Sequence, residues 1–188
     1  MRFHEYSSLS GTHAILSASK YSWLNYDSEK MAATFRTAQA AALGTRLHEL
    51  AAEHIRLRIR MPRNNATFNR YVNDAIGYCM TPEQVLFYSM NAYGTADAIH
   101  FDDKKNFLRI HDLKTGSGRV KMDQLMIYQA FFCLEYHISP FDIESELRIY
   151  QNDDVTILNP EASDIRSIMD RVVEFDQLIE SLKEDGIG

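Results

Sequence analysis

The sequence predicts an α/β protein in which strands and helices pack on one another. Three stretches carry that reading. Residues 93–118, YGTADAIHFDDKKNFLRIHDLKTGSG, alternate apolar and polar residues on either side of a polar turn, the pattern of a β-hairpin. Residues 37–59, TAQAAALGTRLHELAAEHIRLRI, repeat apolar residues at helical spacing. Residues 124–138, QLMIYQAFFCLEYHI, are apolar on nearly all sides, which suits a helix buried against a sheet.

Taken in order, HAILSASKYSWLNY predicts a short helix capped by Ser17 or Ser19 and anchored to the core by Trp23 and Leu24. The helix over 37–59 carries Leu43, Leu47, Leu50, Ala51 and His54 on one stripe, with His48 on its flank. Ala38, Ala40, Ala41 and Gly44 keep its first half thin. Pro62 and the RNNAT run interrupt the pattern, and Phe68 to Met80 predict a short helix with an apolar face from Phe68 to Cys79. Thr81, Pro82 and Gln84 resemble a helix start, but VLFYSM is β-branched and aromatic, so a strand over about 84–90 is favoured.

The hairpin follows, its first strand through Ala96, Ala98 and Ile99, its turn over 102–106, and its return over Phe107 to Leu113. Residues 116–122 form a loop carrying Arg119 and Lys121, after which Asp123 caps the apolar helix. Gln124 and Tyr128 lie one turn apart on one face of it. ELRIYQ and VTIL predict a second hairpin, and Asn159 and Pro160 start a last helix with Ile165, Ile168, Val172, Phe175, Ile179 and Leu182 at helical spacing and Gly186 beyond its end. There is no internal repeat and no low-complexity linker.

At 188 residues the chain can bury a sizeable core and most simply forms one domain. Its N-terminal part would be helical over 1–80, its core would run over 84–158, and its last helix over 160–185. No run is long and apolar enough to span a bilayer, and MRFHEYSS lacks the apolar core of a signal peptide, so a cytoplasmic protein without a membrane partner is expected. Cys79 and Cys133 stand alone in apolar surroundings and read as buried thiols. The net charge of −6 is unevenly spread: 13 acids and 4 bases fall in 142–188, which leaves the first 141 residues positive by 3. Arg56, Arg58, Arg60 and Arg63 form a basic cluster able to follow a phosphate backbone, or simply a solvated face.

The residues with the most chemistry sit in the first hairpin. Asp97 lies on one strand, and Asp112 and Lys114, two residues apart on the next, share a face. Two carboxylates and an ammonium on one side of a β-ribbon suit a hard divalent cation with oxygen ligands, Mg2+ or Mn2+. Such a cation polarises a phosphate and acidifies a bound water, while the lysine orients that water or offsets developing charge. Taken alone, an Asp-x-Lys is more often a surface ion pair contributing about 0 to 1 kcal/mol. Gly116 and Gly118 leave room for a backbone or a phosphate beside it.

HAILSASKYSWLN, LGTRLHELAAEH, YGTADAI, IHDLKTG and QLMIYQ, in this order, resemble the RecB-like branch of the PD-(D/E)XK nucleases, which includes phage exonucleases. The likeness covers roughly the first 135 residues. It implies a restriction-endonuclease-like core, a central mixed β-sheet flanked by helices on both sides. It also implies that Asp97 and Asp112 are metal-binding acids, Lys114 the catalytic lysine, and His48 a further metal ligand. Gln124 and Tyr128 would lie beside the substrate; apart from the resemblance, Arg119 and Lys121 on the preceding loop are candidate phosphate contacts. Ala96 stands where the nominal motif has proline, and two cysteines cannot supply an iron-sulfur cluster.

The implied function is a Mg2+- or Mn2+-dependent deoxyribonuclease, most simply an exonuclease acting on DNA in recombination, repair or phage DNA processing, in the host cytoplasm if phage-encoded. No helicase segment is attached, so unwinding or loading would fall to a recombination or repair protein partner. An oligomer encircling DNA enters only by analogy. The alternative is a catalytically idle nuclease-fold module that binds DNA or a protein partner.

Overall fold

The computed structural model describes residues 14–184 and Gly186. It divides into two compact units, 1–45 and 46–188. In the first, a 3-10 segment runs over Ala18–Asn25, kinked at Lys20. Ser17 precedes it, but its hydroxyl meets Ser19 Oγ at 2.8 Å and makes no capping bond. Trp23 donates its indole N–H to Ser17 O, and Leu24 is exposed, so neither is a core anchor. Helix α1, Ser28–Leu57, has its first part in this unit and its residues from Arg46 on in the second; it begins nine residues before the expected Thr37, because Asp27 Oδ1 accepts the Lys30 N–H at 2.7 Å and caps it there.

In the second unit a five-stranded mixed sheet has the order β1 (Thr81–Ser89), β2 (Ala92–Asp102), β3 (Phe107–Leu113), β4 (Glu144–Gln151), β5 (Asp154–Leu158). Every neighbouring pair is antiparallel except β3 and β4, which are parallel. A parallel pair needs a crossover, and α3 (Asp123–Tyr136) lies in it. Helices α2 (Thr67–Gly77) and α4 (Ala162–Glu184) complete the unit. The β4–β5 turn has two residues, Asn152 and Asp153, both with positive φ, as a tight hairpin with the natural strand twist requires.

The sheet is covered on both faces. Leu86, Ile99, Leu108, Ile110, Leu147 and Ile149 meet Leu125, Ala130, Phe131 and Phe132 of α3 and Ile165 and Met169 of α4. On the other side Ala98, Leu113 and Tyr150 meet Ala51 and Ile55 of α1 and Tyr71, Val72, Ala75 and Ile76 of α2. The fold is therefore α/β with a central mixed sheet between helices. No helix among the described residues is long and apolar enough to cross a membrane.

Several local expectations are corrected. The buried side of α1 is Ala51, Ala52 and Ile55, with Leu43 and Leu50 exposed. An alanine-rich helix has little asymmetry from which to read its facing. Cys133 is buried, its thiol pushed up to about 12, whereas Cys79 is exposed at a positive-φ position linking α2 to β1. Asp123 is the first residue of α3 rather than its cap, which is Met122. Asn159 does not start α4: its side-chain amide donates to Ser145 O. Phe175, Ile179 and Leu182 are exposed, and the second half of α4 is tied instead through Asp176, which accepts from Ser89 Oγ and Asn91 Nδ2.

A buried polar chain links β3 and β4 to α2. Tyr150 donates its hydroxyl to Asp74 Oδ2 at 2.8 Å and accepts from His111 Nδ1 at 3.3 Å. That leaves His111 Nε2 buried without a partner. Burial first, then the Arg148 and Arg109 charges, push the His111 imidazole down to about 3. An unfolded histidine titrates near about 6.5, so between those values the unfolded chain takes up a proton that the folded chain refuses. The stability contributed by His111 is full above pH 6.5 and is lost on acidification by on the order of 1 kcal/mol per pH unit until about pH 3. Urea unfolding in chelator from pH 7 to 4 should show this slope, and His111→Leu should flatten it.

Candidate active site

The β2–β3 ladder ends at Ala98↔His111, while β3 continues along β4 to Leu113↔Tyr150. The strands therefore part at Asp97 and Asp112, which follow next in register. At this fork Asp97 Oδ2 accepts the Leu113 N–H at 2.8 Å, substituting a side chain for the missing ladder bond. The same oxygen lies 3.2 Å from His48 Nδ1 on α1. That hydrogen bond is the largest cause of the raised His48 pKa, with burial opposing it.

Asp112 is nearly fully buried, and Lys114 is its partner. Lys114 Nζ lies 3.1 Å from Oδ1 in hydrogen-bonding geometry and 3.0 Å from Oδ2, which receives no directed hydrogen bond. Burial raises the Asp112 pKa most, the negative charge of Asp97 adds to it, and Lys114 opposes both. The lysine also donates to Gln124 Oε1 at 2.9 Å, and Gln124 Nε2 donates to Tyr128 Oη at 2.9 Å. Asp112, Lys114, Gln124 and Tyr128 thus form one continuous run from β3 to the first turns of α3.

Strict alternation along β2 would put Ala96 and Ile99 on opposite faces, yet both belong to the core beneath α3. The reversal falls at Asp97 and is matched on β1, where Glu83 has φ +52° in a register gap between Pro82↔Ala98 and Gln84↔Ala96. A left-handed non-glycine residue costs on the order of 1–3 kcal/mol and is retained where its surroundings over-determine it. The two acids therefore draw on different neighbours, Asp97 on His48 of α1 and Asp112 on the α3 side through Lys114.

Glu83 is the residue that sequence reasoning missed. His48, Glu83 and Asp97 each offer a ligand atom within 4.8 Å of the others, a set that does not include Asp112. The Glu83 pKa is raised by burial first and by Asp97 second. No spacing rule joins Glu83 to Asp97; only the antiparallel β1–β2 register does. Oxygen and imidazole donors, plus a buried Asp112 oxygen lacking a donor, are a hard set of the kind a divalent cation takes.

Beside Lys114, a cavity of about 570 Å3 is lined by Gly116, Gly118, Arg119, Lys121 and Gln124, among others. The loop that forms it is held by Gln151, whose side-chain amide donates to Gly116 O and to Gly118 O. Arg119 and Lys121 thus share one concavity with the lysine and glutamine of the site.

Comparison of the chain with family models, curated proteins and solved structures gives no match.

Gly94 bears directly on the geometry of the site. A Cβ there would come within 2.8 Å of Tyr128 Cε1, so Gly94→Ala must displace the ring that closes the hydrogen-bonded run. Overpacking of this kind costs about 1–3 kcal/mol. The expected result is a lower unfolding midpoint in urea, with Tyr128→Phe keeping near-normal stability.

Proposed function

We propose that this protein hydrolyses DNA phosphodiester bonds with a divalent cation, Mg2+ or Mn2+, as a deoxyribonuclease of the PD-(D/E)XK type that its motifs resemble, most simply an exonuclease. One observation carries the reading. Residues taken from separate words of the sequence, Asp112 and Lys114 from one and Gln124 and Tyr128 from another, are joined by consecutive hydrogen bonds beside the fork that holds Asp97 and His48. An incidental surface ion pair has no reason to recruit these partners.

Asp97, Asp112 and His48 would hold the cation, with Glu83 within reach of the same cluster. When bound, it would polarise the phosphate and lower the pKa of a water. Lys114 is kept in place by Asp112 on one side and Gln124 on the other, so its charge would meet a reacting phosphate without reorganisation. Arg119 and Lys121 would hold flanking phosphates along the adjoining cavity.

Incubation with linear and circular DNA, single- and double-stranded, in Mg2+, Mn2+ or chelator tests this. Linear DNA should be lost with metal and preserved in chelator, and circular DNA should survive if an end is required. Binding without cleavage in either metal would replace the proposal with an idle DNA-binding module.

A further inference from the structure

The fold divides the arginine cluster that begins at the end of α1. Arg60 and Arg63 join Arg70 of α2 in lining a cavity of about 580 Å3, together with Asn64 and Asn65, whereas Arg56 and Arg58 do not. Its charge is not neutralised internally. Arg109, Arg148 and Arg166 all have carboxylate partners, but Arg60 and Arg63 have none within 4.0 Å among the described residues. Arg70 donates only to a backbone carbonyl, Asp153 O. The one acid in the lining, Asp74, already accepts from Tyr150 and lies 3.6 Å from Arg148. Asn64 Oδ1 is taken by Ala66 N and Asn69 Nδ2, which leaves its own amide N–H groups to donate. The cavity offers many donors and few acceptors, as an anion site does.

Its chemistry favours a phosphate over a base. Tyr78, also in the lining, already has its ring engaged by the Arg109 and Arg148 guanidinium groups at 4.3 and 5.1 Å and by the edge of His111. The ring is therefore taken as a stacking surface. The cavity also stands close to the site. Thr67 and Phe68, which open α2, line a small cavity together with Lys114, and Arg70 is three residues further, roughly 4.5 Å along the helix.

We infer that Arg60, Arg63 and Arg70 form a sequence-independent contact for the backbone phosphates of a nucleic acid whose cleavage occurs at the Lys114 site. This deepens the nuclease reading and rests on it for the identity of the polyanion. It makes the substrate path extend from the Arg119 and Lys121 loop, across Lys114, to α2.

The test is anisotropy of labelled single- and double-stranded oligonucleotides of two unrelated sequences, with the full chain in chelator over a series of salt concentrations. Wild type, Arg60→Gln/Arg63→Gln and Lys114→Ala are compared. Both arginines contact no carboxylate among the described residues, so the double variant should retain its urea midpoint. Its affinity should fall about tenfold for both sequences, with a salt slope on duplex smaller by about 2. Unchanged affinity and slope would overturn the assignment, as would a loss confined to one sequence. A loss of binding as described, from a protein that cleaves nothing in either metal, would keep the phosphate site and remove the nuclease reading. Cleavage that proceeds normally in a double variant with unaltered binding would do the reverse.

Discussion

For the nuclease proposed above, Lys114→Ala is expected to slow metal-dependent DNA cleavage by about 100- to 1,000-fold, the loss typical of removing one preorganised donor from a developing charge. The geometry explains why so much depends on one ammonium. It is the hydrogen-bond donor to a nearly fully buried carboxylate, Asp112, and it connects that acid to Gln124. Taking it away leaves a buried charge without its partner, so Asp112 should hold its proton to higher pH than it already does. Lys114→Arg separates charge from shape. A planar guanidinium keeps the charge but cannot occupy a point between Asp112 and Gln124, so this variant should recover stability while recovering little activity. Turnover and urea unfolding, measured together for both variants, check the pair. Equal activity in wild type and Lys114→Ala would assign any cleavage to another site or a contaminant.

Asp97→Asn should weaken Mn2+ binding by more than the 10- to 100-fold typical of losing a partner outside the coordination sphere, and should abolish cleavage. Asp97 Oδ2 serves both the Leu113 N–H and His48. An asparagine can still accept from the amide through its oxygen, so the strand fork should survive. What disappears is the negative charge felt by His48, Glu83 and Asp112 alike. In metal-free protein the His48 pKa, raised chiefly by Asp97, should therefore drop, and NMR titration of its ring protons reads this. Calorimetric titration of Mn2+ reads the affinity. Undiminished Mn2+ binding in Asp97→Asn would move the cation elsewhere.

Sequence reasoning reached the hairpin and its acids because strand periodicity is strong there. The mixed character of the sheet entered only as what the family resemblance implies, whereas the turn at 102–106 and the partnership of β2 with β3 were legible in the sequence. So was the shared face of Gln124 and Tyr128, since positions one turn apart on a helix meet. Their link to Lys114 was not legible, because it depends on how α3 packs against the end of β3. Glu83 was invisible for a sharper reason. It stands at a left-handed position that a glutamate rarely adopts, opposite a reversal of β2, and neither feature has a local signal. Thr81 and Pro82 even carried the residues of a helix start, and the β-forming residues after them decided for a strand. On α1 the expected stripe holds at Ala51 but not at Leu43 and Leu50, large residues that are exposed while small Ala52 beside it is buried. Close packing against the sheet favours the small side there.

The most direct measurement is anomalous diffraction from crystals of the metal-free protein soaked in Mn2+. A nuclease of this design should give a peak at coordinating distance from a carboxylate oxygen of Asp97 and one of Asp112, with His48 or Glu83 beside it. A map with no peak at this fork under millimolar Mn2+, or with Mn2+ bound only elsewhere, would contradict it.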